Sequence, residues 1–430
     1  VKGVVALRAG DADEVIRRAR AALREEPTWP PGRWLLADGY LLKGDRDLAI
    51  DALDPLVTAD AADPRTASVL ARLLSERGDL DAALKLWNRV LQSTADPAPA
   101  LRARAAIAIR QGQWATAEAD IRRLGESAGQ EADAALLAGN LRLAQARFDE
   151  GREWFLKAER LRPEASDPAI GVVHAYLGKD DVEGALAHLK QRLEQRPADA
   201  VAYEITGELL ARKGASREAE PAFREAIRLQ PDWLVPYRQL GALLLGSGAS
   251  ERAGEVYEAA IATAPTDASL YLDLGSAHLA GERIDAAMAA FERALAVDPE
   301  NEVAANNWAA LVGDYHYRDE AKLARALELA EPFRAGENPF FLDTLGWLHY
   351  RKGDYPVALS FIERAGTSGG SGPQFHYHRG MTLQRLGELE RAAADLAKAV
   401  ADDVDYTGRD EARATLQALQ ARLARSEQAG

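Results

Sequence analysis

The 430-residue chain contains no cysteine. Disulfides, thiolate metal sites, c-type haem attachment and cysteine nucleophiles are therefore excluded, while the compartment stays open, because cysteine-free chains exist in cytoplasm and periplasm alike. No apolar run approaches the roughly eighteen residues of a membrane span, and no secretory apolar core is present, so no direct membrane span is expected in this segment. The sequence opens on Val1 rather than Met, and an upstream segment is expected to have been removed.

Blocks of positive charge are missing as well. Lys and Arg number 53 against 67 Asp and Glu, a formal net charge of -14, with both signs mixed along the chain. A general nucleic-acid or anionic-membrane binder needs a basic face, so no nucleic-acid partner is expected.

The usual signatures of catalysis are scarce. Seven histidines are scattered at 174, 188, 278, 316, 349, 376 and 378, and none forms the HExxH pattern that sets two ligands and a base on one helical face. His376 and His378 are two apart, which on a helix points them in different directions, as at an ordinary helix start. No phosphate-cradling GxxxxGK(S/T) loop and no GxSxG elbow occurs, and the glycine clusters LGSGAS and GTSGGSGP sit between helical segments, the second (residues 366–373) being the clearest candidate for a hinge. Acidic pairs abound on solvated helix faces, but without a cleft no general acid and base can be chosen. The expectation is a non-enzymatic chain with no cofactor and no metal.

What the sequence does have is 47% hydrophobic and 28% charged residues, rich in Ala, Leu, Arg and Glu, as in a soluble helical protein. It also has a period. Windows at 200–233, 234–267 and 268–301 align without gaps. Each carries a tyrosine (Tyr203, Tyr237, Tyr271), then a glycine (Gly207, Gly241, Gly275), an alanine (Ala219, Ala253, Ala287), an aromatic (Phe223, Tyr257, Phe291), a second alanine (Ala226, Ala260, Ala294) and a proline (Pro231, Pro265, Pro299). Apolar spacing of three and four on either side of a Gly- or Asp-containing turn makes each window two helices, the second ended by proline. Glycine inside a helix costs about 1 kcal/mol relative to alanine, so its recurrence implies that two helix backbones approach too closely there for a larger side chain.

This pattern resembles the tetratricopeptide repeat family, whose Trp or Tyr, Leu-Gly, Ala, Phe, Ala, Pro skeleton it follows at the family's spacing. The resemblance implies an all-α, right-handed solenoid of antiparallel helix pairs with a concave groove lined by first helices. Extending the phase gives a partial repeat at 1–29, eight units over 30–301, a unit with an extended inter-helix turn at 302–338, two units over 339–406, and a capping helix and tail at 407–430. Ala185, Ala117, Ala83 and Ala49 keep the small position of the second helix, and Gly151 stands there in the window at 132. Leu416, Leu419 and Leu423 form the apolar stripe of the cap.

Family partner codes fail here. The carboxylate clamp needs a basic residue at the fifth and Asn at the ninth position of a first helix, but Asn140 is accompanied by Leu136, and Arg102 and Arg238 by Ala106 and Ala242. The sixth-position asparagine ladder of a glycosyltransferase superhelix is matched by Asn307 alone. From 302 to 425 the succession NNWAAL, NPFFLDTLGWLHYRKGDYPVAL, FHYHRG and GRDEARATLQAL resembles the tail of bacterial repeat proteins associated with exosortase and PEP-CTERM sorting in polysaccharide-producing bacteria. That resemblance implies a bacterial periplasm or cell envelope and an exopolysaccharide assembly; the cytoplasm stays open, and polysaccharide contact has no support in the residues.

Asp343, Trp347 and Tyr350 share one stripe of the helix in LDTLGWLHYRKGDYPVAL, at the family's groove-lining positions, beside a second stripe of Leu342, Leu345, Gly346 and His349 that faces inside the repeat. With Asn306 and Tyr377 from the flanking units they form the expected partner-binding patch, although packing of Trp347 against Tyr377 explains the same residues. Tyr315, His316 and Tyr317 in the extended turn are a candidate recognition loop, with packing under the neighbouring repeat as the alternative. The function expected is a scaffold binding a protein or peptide partner in its groove. The alternative is a targeting arm for a glycosyltransferase or other enzyme whose catalytic part lies outside this chain.

Overall fold

The computed structural model describes residues 2–57 and 63–429. Val1, residues 58–62 and Gly430, which the expected partition includes, lie outside the described residues. Among the described residues there are twenty-five α-helices and no strand. The chain divides into two compact units, Val1–Leu209 and Leu210–Gly430. Within each unit, consecutive helices pair through short turns, each second helix packs on the first helices before and after it, and first helices such as Pro339–Lys352 and Pro373–Leu386 also touch one another.

Local signals set the helix ends. Asp267, Asn301, Asp319 and Asn338 each accept a hydrogen bond from a backbone N–H in the turn they open. Gly353 and Gly387 close helices in the left-handed conformation, where a side chain would be strained. Tyr237 and Tyr271 donate their hydroxyls to the carbonyls of Pro231 and Pro265, at 3.2 and 3.0 Å, tying each unit's first helix to the linker before it.

The core rests on size matching. Ala49, Ala83, Ala117, Ala185, Ala219, Ala253 and Ala287 are all fully buried. The recurring glycines do more than admit the backbone contact their period implies. A Cβ on Gly241 would lie 2.3 Å from the Tyr257 ring, one on Gly275 2.3 Å from Phe291, and one on Gly139 2.5 Å from Phe155. Gly346 and Gly380 stand in the same relation to Ile362 and Leu396, each sixteen residues further on. The glycine makes room for a large side chain of the second helix, and at Gly346 and Gly380 for its backbone as well, with the Ala358 carbonyl oxygen at 3.0 Å and the Leu396 nitrogen at 3.2 Å.

In the 302–338 unit the connection between helices Glu302–Leu311 and Glu320–Ala330 is long. Where an extended turn is predicted, helix Glu302–Leu311 continues into a five-residue π-helical turn, Val312–His316. Val312 is fully buried, and a Cβ on Gly313 would meet the Trp347 ring at 2.9 Å, so the widened turn holds backbone against that indole. The segment at 366–373 is a tight turn: Gly369 and Gly372 have φ of 98° and 102°, and a Cβ on Gly370 would lie 2.7 Å from the Ala365 carbonyl oxygen. Helix Arg409–Ala429 covers the last pair, with Ala412, Leu416 and Leu419 packed in one cluster with Leu396 and Ala399.

The size rule is testable at Gly275. Substitution by Ala favours the helix by about 1 kcal/mol in propensity, but Phe291 is fully buried and cannot yield. Overpacking by about 1–3 kcal/mol wins, so Gly275→Ala lowers the thermal midpoint. Adding Phe291→Leu should cancel part of that loss; strict additivity in a double-mutant cycle would show that the two residues do not share the slot.

Candidate functional site

Helix Pro339–Lys352 is apolar nearly all round, with Leu342, Thr344, Leu345, Gly346, Trp347, Leu348, His349 and Tyr350 buried. Such a helix needs neighbours on several sides. It has them: the second helix Tyr355–Thr367 and the first helices Glu302–Leu311 and Pro373–Leu386.

Trp347, only 1% exposed, lies at the centre. Its indole N–H donates to Asp314 Oδ1 at 2.9 Å. Its ring stacks on Tyr350 at 4.6 Å and on His378 at 4.1 Å, and meets Tyr377 at a tilt at 5.2 Å. The Arg351 guanidinium lies 4.2 Å from the Trp347 ring centre and 3.9 Å from that of Tyr317, and its Nε donates to the Gly313 carbonyl at 2.9 Å. Both cation–π contacts and the hydrogen bond clamp the π-helical turn onto the indole.

Burial pushes the Asp314 carboxyl above its usual range, against the opposing pull of His378, the Trp347 N–H and Arg351. Its second oxygen accepts from the Gln374 amide at 3.3 Å. Tyr377, 1% exposed, donates its hydroxyl to Glu411 at 2.6 Å, and burial followed by that carboxylate raises its pKa. Burial likewise raises Tyr350 and lowers His349, whose ring stacks at 5.6 Å on Phe361.

The structure thus brings Asp343, Trp347, Tyr350 and Tyr377 into one cluster, but three of the four are buried. A groove contact needs surface; the packing alternative for Trp347 against Tyr377 is what the geometry displays. Asp343 is partly exposed: Oδ2 pairs with His378 Nδ1 at 2.8 Å, and Oδ1 has no hydrogen-bond partner. Asn306 is half-buried on helix Glu302–Leu311, with its amide nitrogen 3.4 Å from Asn307 Oδ1 and its own Oδ1 unpaired.

The loop candidates separate. Tyr317 lies under Arg351, and His316 reaches Asp285 at 3.2 Å. Tyr315 is 47% exposed, and its hydroxyl meets Thr407 Oγ1 at 2.7 Å, 92 residues along the chain. His376 and His378 diverge as their spacing implies: His376 pairs with Asp395 of its own unit at 3.0 Å and His378 with Asp343 of the unit before. Among the described residues no group of three or more His, Cys, Asp and Glu is placed to hold a metal ion, and no helix is long and apolar enough to cross a membrane.

Asp314, Arg351 and Gln374 were not singled out from the sequence, yet a signal exists. Bonded pairs across adjacent first helices lie close to one period apart: Asp314 to Trp347 by 33, Asp343 to His378 by 35 and Tyr377 to Glu411 by 34. Elsewhere, a cavity of about 400 Å³ in the Val1–Leu209 unit is lined by Ala134, Ala135 and Ala138, with Arg142 paired to Glu118 at 2.9 Å and Lys157 over the Trp154 ring at 4.8 Å.

Asp314 offers a pH test. A carboxyl whose folded pKa is raised binds its proton more tightly in the folded than in the unfolded chain, so its contribution is favourable at low pH and is lost as pH rises through the carboxylate range. Asp314→Asn keeps an acceptor for Trp347 and carries no charge. Relative to the parent, its unfolding free energy should improve as pH rises from below that range to neutrality, by denaturant titration at each pH. A pH-independent difference would mean that Asp314 is not held in a desolvated site.

Tetratricopeptide repeat models match residues 6–73 and 244–307, and 68–131, 173–232 and 344–407. No curated protein matches the sequence. Solved structures with a similar chain path include a tetratricopeptide repeat protein from Parabacteroides merdae, 18% identical, covering 59% of this chain and 97% of its own, with a TM-score of 0.43. The Cut9-Hcn1 hetero-tetramer of APC/C is 14% identical over 97% of this chain and 95% of that one, at 0.41. Yeast Tom70 is 17% identical over 90% and 95%, at 0.37. TM-scores below 0.5 carry no argument about function.

Proposed function

Because this chain belongs to the tetratricopeptide repeat family, we propose that it is a non-enzymatic scaffold that binds a protein or peptide partner along the face formed by its first helices. The observation that carries this reading is the array itself: stacked helix pairs present a long semi-rigid surface that needs no reactive group to bind a partner. At the C-terminal end, contact falls to the partly exposed side chains of Asn306 and Asp343, each of which also carries one buried oxygen without a hydrogen-bond partner. Trp347, Tyr350 and Tyr377 are buried and belong to the packing of the same end of the chain. Tyr315, exposed and tethered to Thr407, borders the same region.

The setting we propose is a bacterial envelope or exopolysaccharide assembly, supported by the resemblance of residues 302–425 to exosortase-associated repeat proteins. Isothermal titration against a partner recovered by affinity capture tests the binding role. Asn306→Ala with Asp343→Asn should weaken binding by about tenfold, close to 1.4 kcal/mol, with a near-parental melt. Trp347→Phe should instead lower the melt and leave affinity within about threefold. Parental affinity for the polar pair, or loss of affinity for Trp347→Phe in a fully folded chain, would put the contact elsewhere.

A further inference from the structure

A second feature adjoins Asp343. Its carboxylate lines a cavity of about 290 Å³ whose other walls come from the start of helix Pro339–Lys352, the turn before helix Pro373–Leu386, and the segment 404–406. The walls are largely apolar: Phe340 is 75% exposed, the largest exposure of any large hydrophobic side chain among the described residues, and Val404 is 52% exposed. Pro339, Pro373 and Phe375 complete them. The charged lining groups are Asp343 and Asp405, and none of the lining residues is basic.

The polar groups are incompletely used. Asp343 Oδ1 and the Tyr406 hydroxyl have no hydrogen-bond partner, while His378 on the far oxygen fixes the Asp343 carboxylate in place. The one basic side chain near Asp405, Arg409, is taken up by the Asp403 carboxylate at 2.8 Å and the Asp402 carbonyl at 2.9 Å. An exposed phenyl ring in water is unfavourable, and the two aspartates of the cavity meet no basic residue in its lining. One side-chain chemistry answers both: an aliphatic stem that covers the ring and a cationic head that reaches the carboxylates.

Resting on the partner-binding reading above, we propose that this cavity is the anchor pocket for an arginine or lysine side chain of the partner. The stem lies along Phe340 and Val404, and the head pairs with Asp343 and Asp405. The net charge of -14 favours approach of a basic segment over an acidic one. The volume suits one long side chain with its adjoining backbone.

The test uses the full chain, fluorescently labelled, on an array of N-acetylated, C-amidated nonapeptides in which one position at a time is fixed and the others are randomised. Arg or Lys at one position should raise binding about tenfold over Ala there, and the gain should shrink as salt rises and the Debye length falls. Asp405→Asn and Phe340→Ser alter exposed side chains and leave the fold in place; each should cut the preference at least about threefold. Peptide binding with no basic preference, with an apolar or acidic preference, or with a basic preference untouched by both variants overturns the pocket and leaves the scaffold reading standing. Failure of every peptide to bind overturns both.

Discussion

In five of the units a large side chain from the second helix occupies the volume that a glycine of the preceding first helix leaves empty. Tyr257 on Gly241, Phe291 on Gly275, Phe155 on Gly139, Ile362 on Gly346 and Leu396 on Gly380 repeat this contact at one spacing. A Cβ inserted at any of these five glycines would sit within 2.8 Å of its neighbour, which van der Waals repulsion forbids. The approach of the two helices is therefore set by the pair together with the small position of the second helix, where Gly151 faces the Gly139 carbonyl and the Ala358 carbonyl faces Gly346. Once those distances are fixed, first helices lie side by side and residues about one period apart come within bonding range.

The C-terminal cluster is a product of that arrangement. Asp314, Trp347 and His378 come from three successive units, and no single helix carries the set. Desolvation makes the Asp314 carboxyl reluctant to ionise, yet it supplies the acceptor that a buried indole N–H requires. The aromatic side chains spend their area on packing, as Trp347 and Tyr377 at 1% exposure require. What reaches the surface is a rim of polar groups, Asn306 and Asp343, with Phe340, Tyr315 and the segment 404–406 around it. Rigid packing beneath partly exposed polar side chains is the division of labour that a binding surface needs.

The sequence makes the helix pairs legible because size alternation is local and periodic: Ala219, Ala253 and Ala287 reveal their burial by recurrence alone. It also groups Asp343, Trp347 and Tyr350 correctly, since a helix places them on adjacent faces. It does not reveal that Trp347 and Tyr350 are covered, because the cover comes from Asp314, Arg351 and His378, and a single helix's pattern carries no record of its neighbours. Within the extended turn, Gly313 admits the Trp347 ring and Asp314 bonds it, contacts with the following unit that the sequence of the turn does not record. Phe340 and Gln374 stand one period apart at the second position of consecutive units, but their meeting with Asp405 in one cavity is a contact between units that the pattern of a single unit does not record.

Trp347 belongs to the core, and the rim around Asp343 is the surface proposed to meet the partner. Hydrogen exchange at the Trp347 indole N–H, assigned by the resonance lost in Trp347→Phe, addresses this directly. The account predicts slow exchange in the free chain, from burial and the bond to Asp314, and no further slowing when a partner peptide binds. Rapid exchange in the free chain that becomes protected only on binding would contradict it and make Trp347 a contact residue.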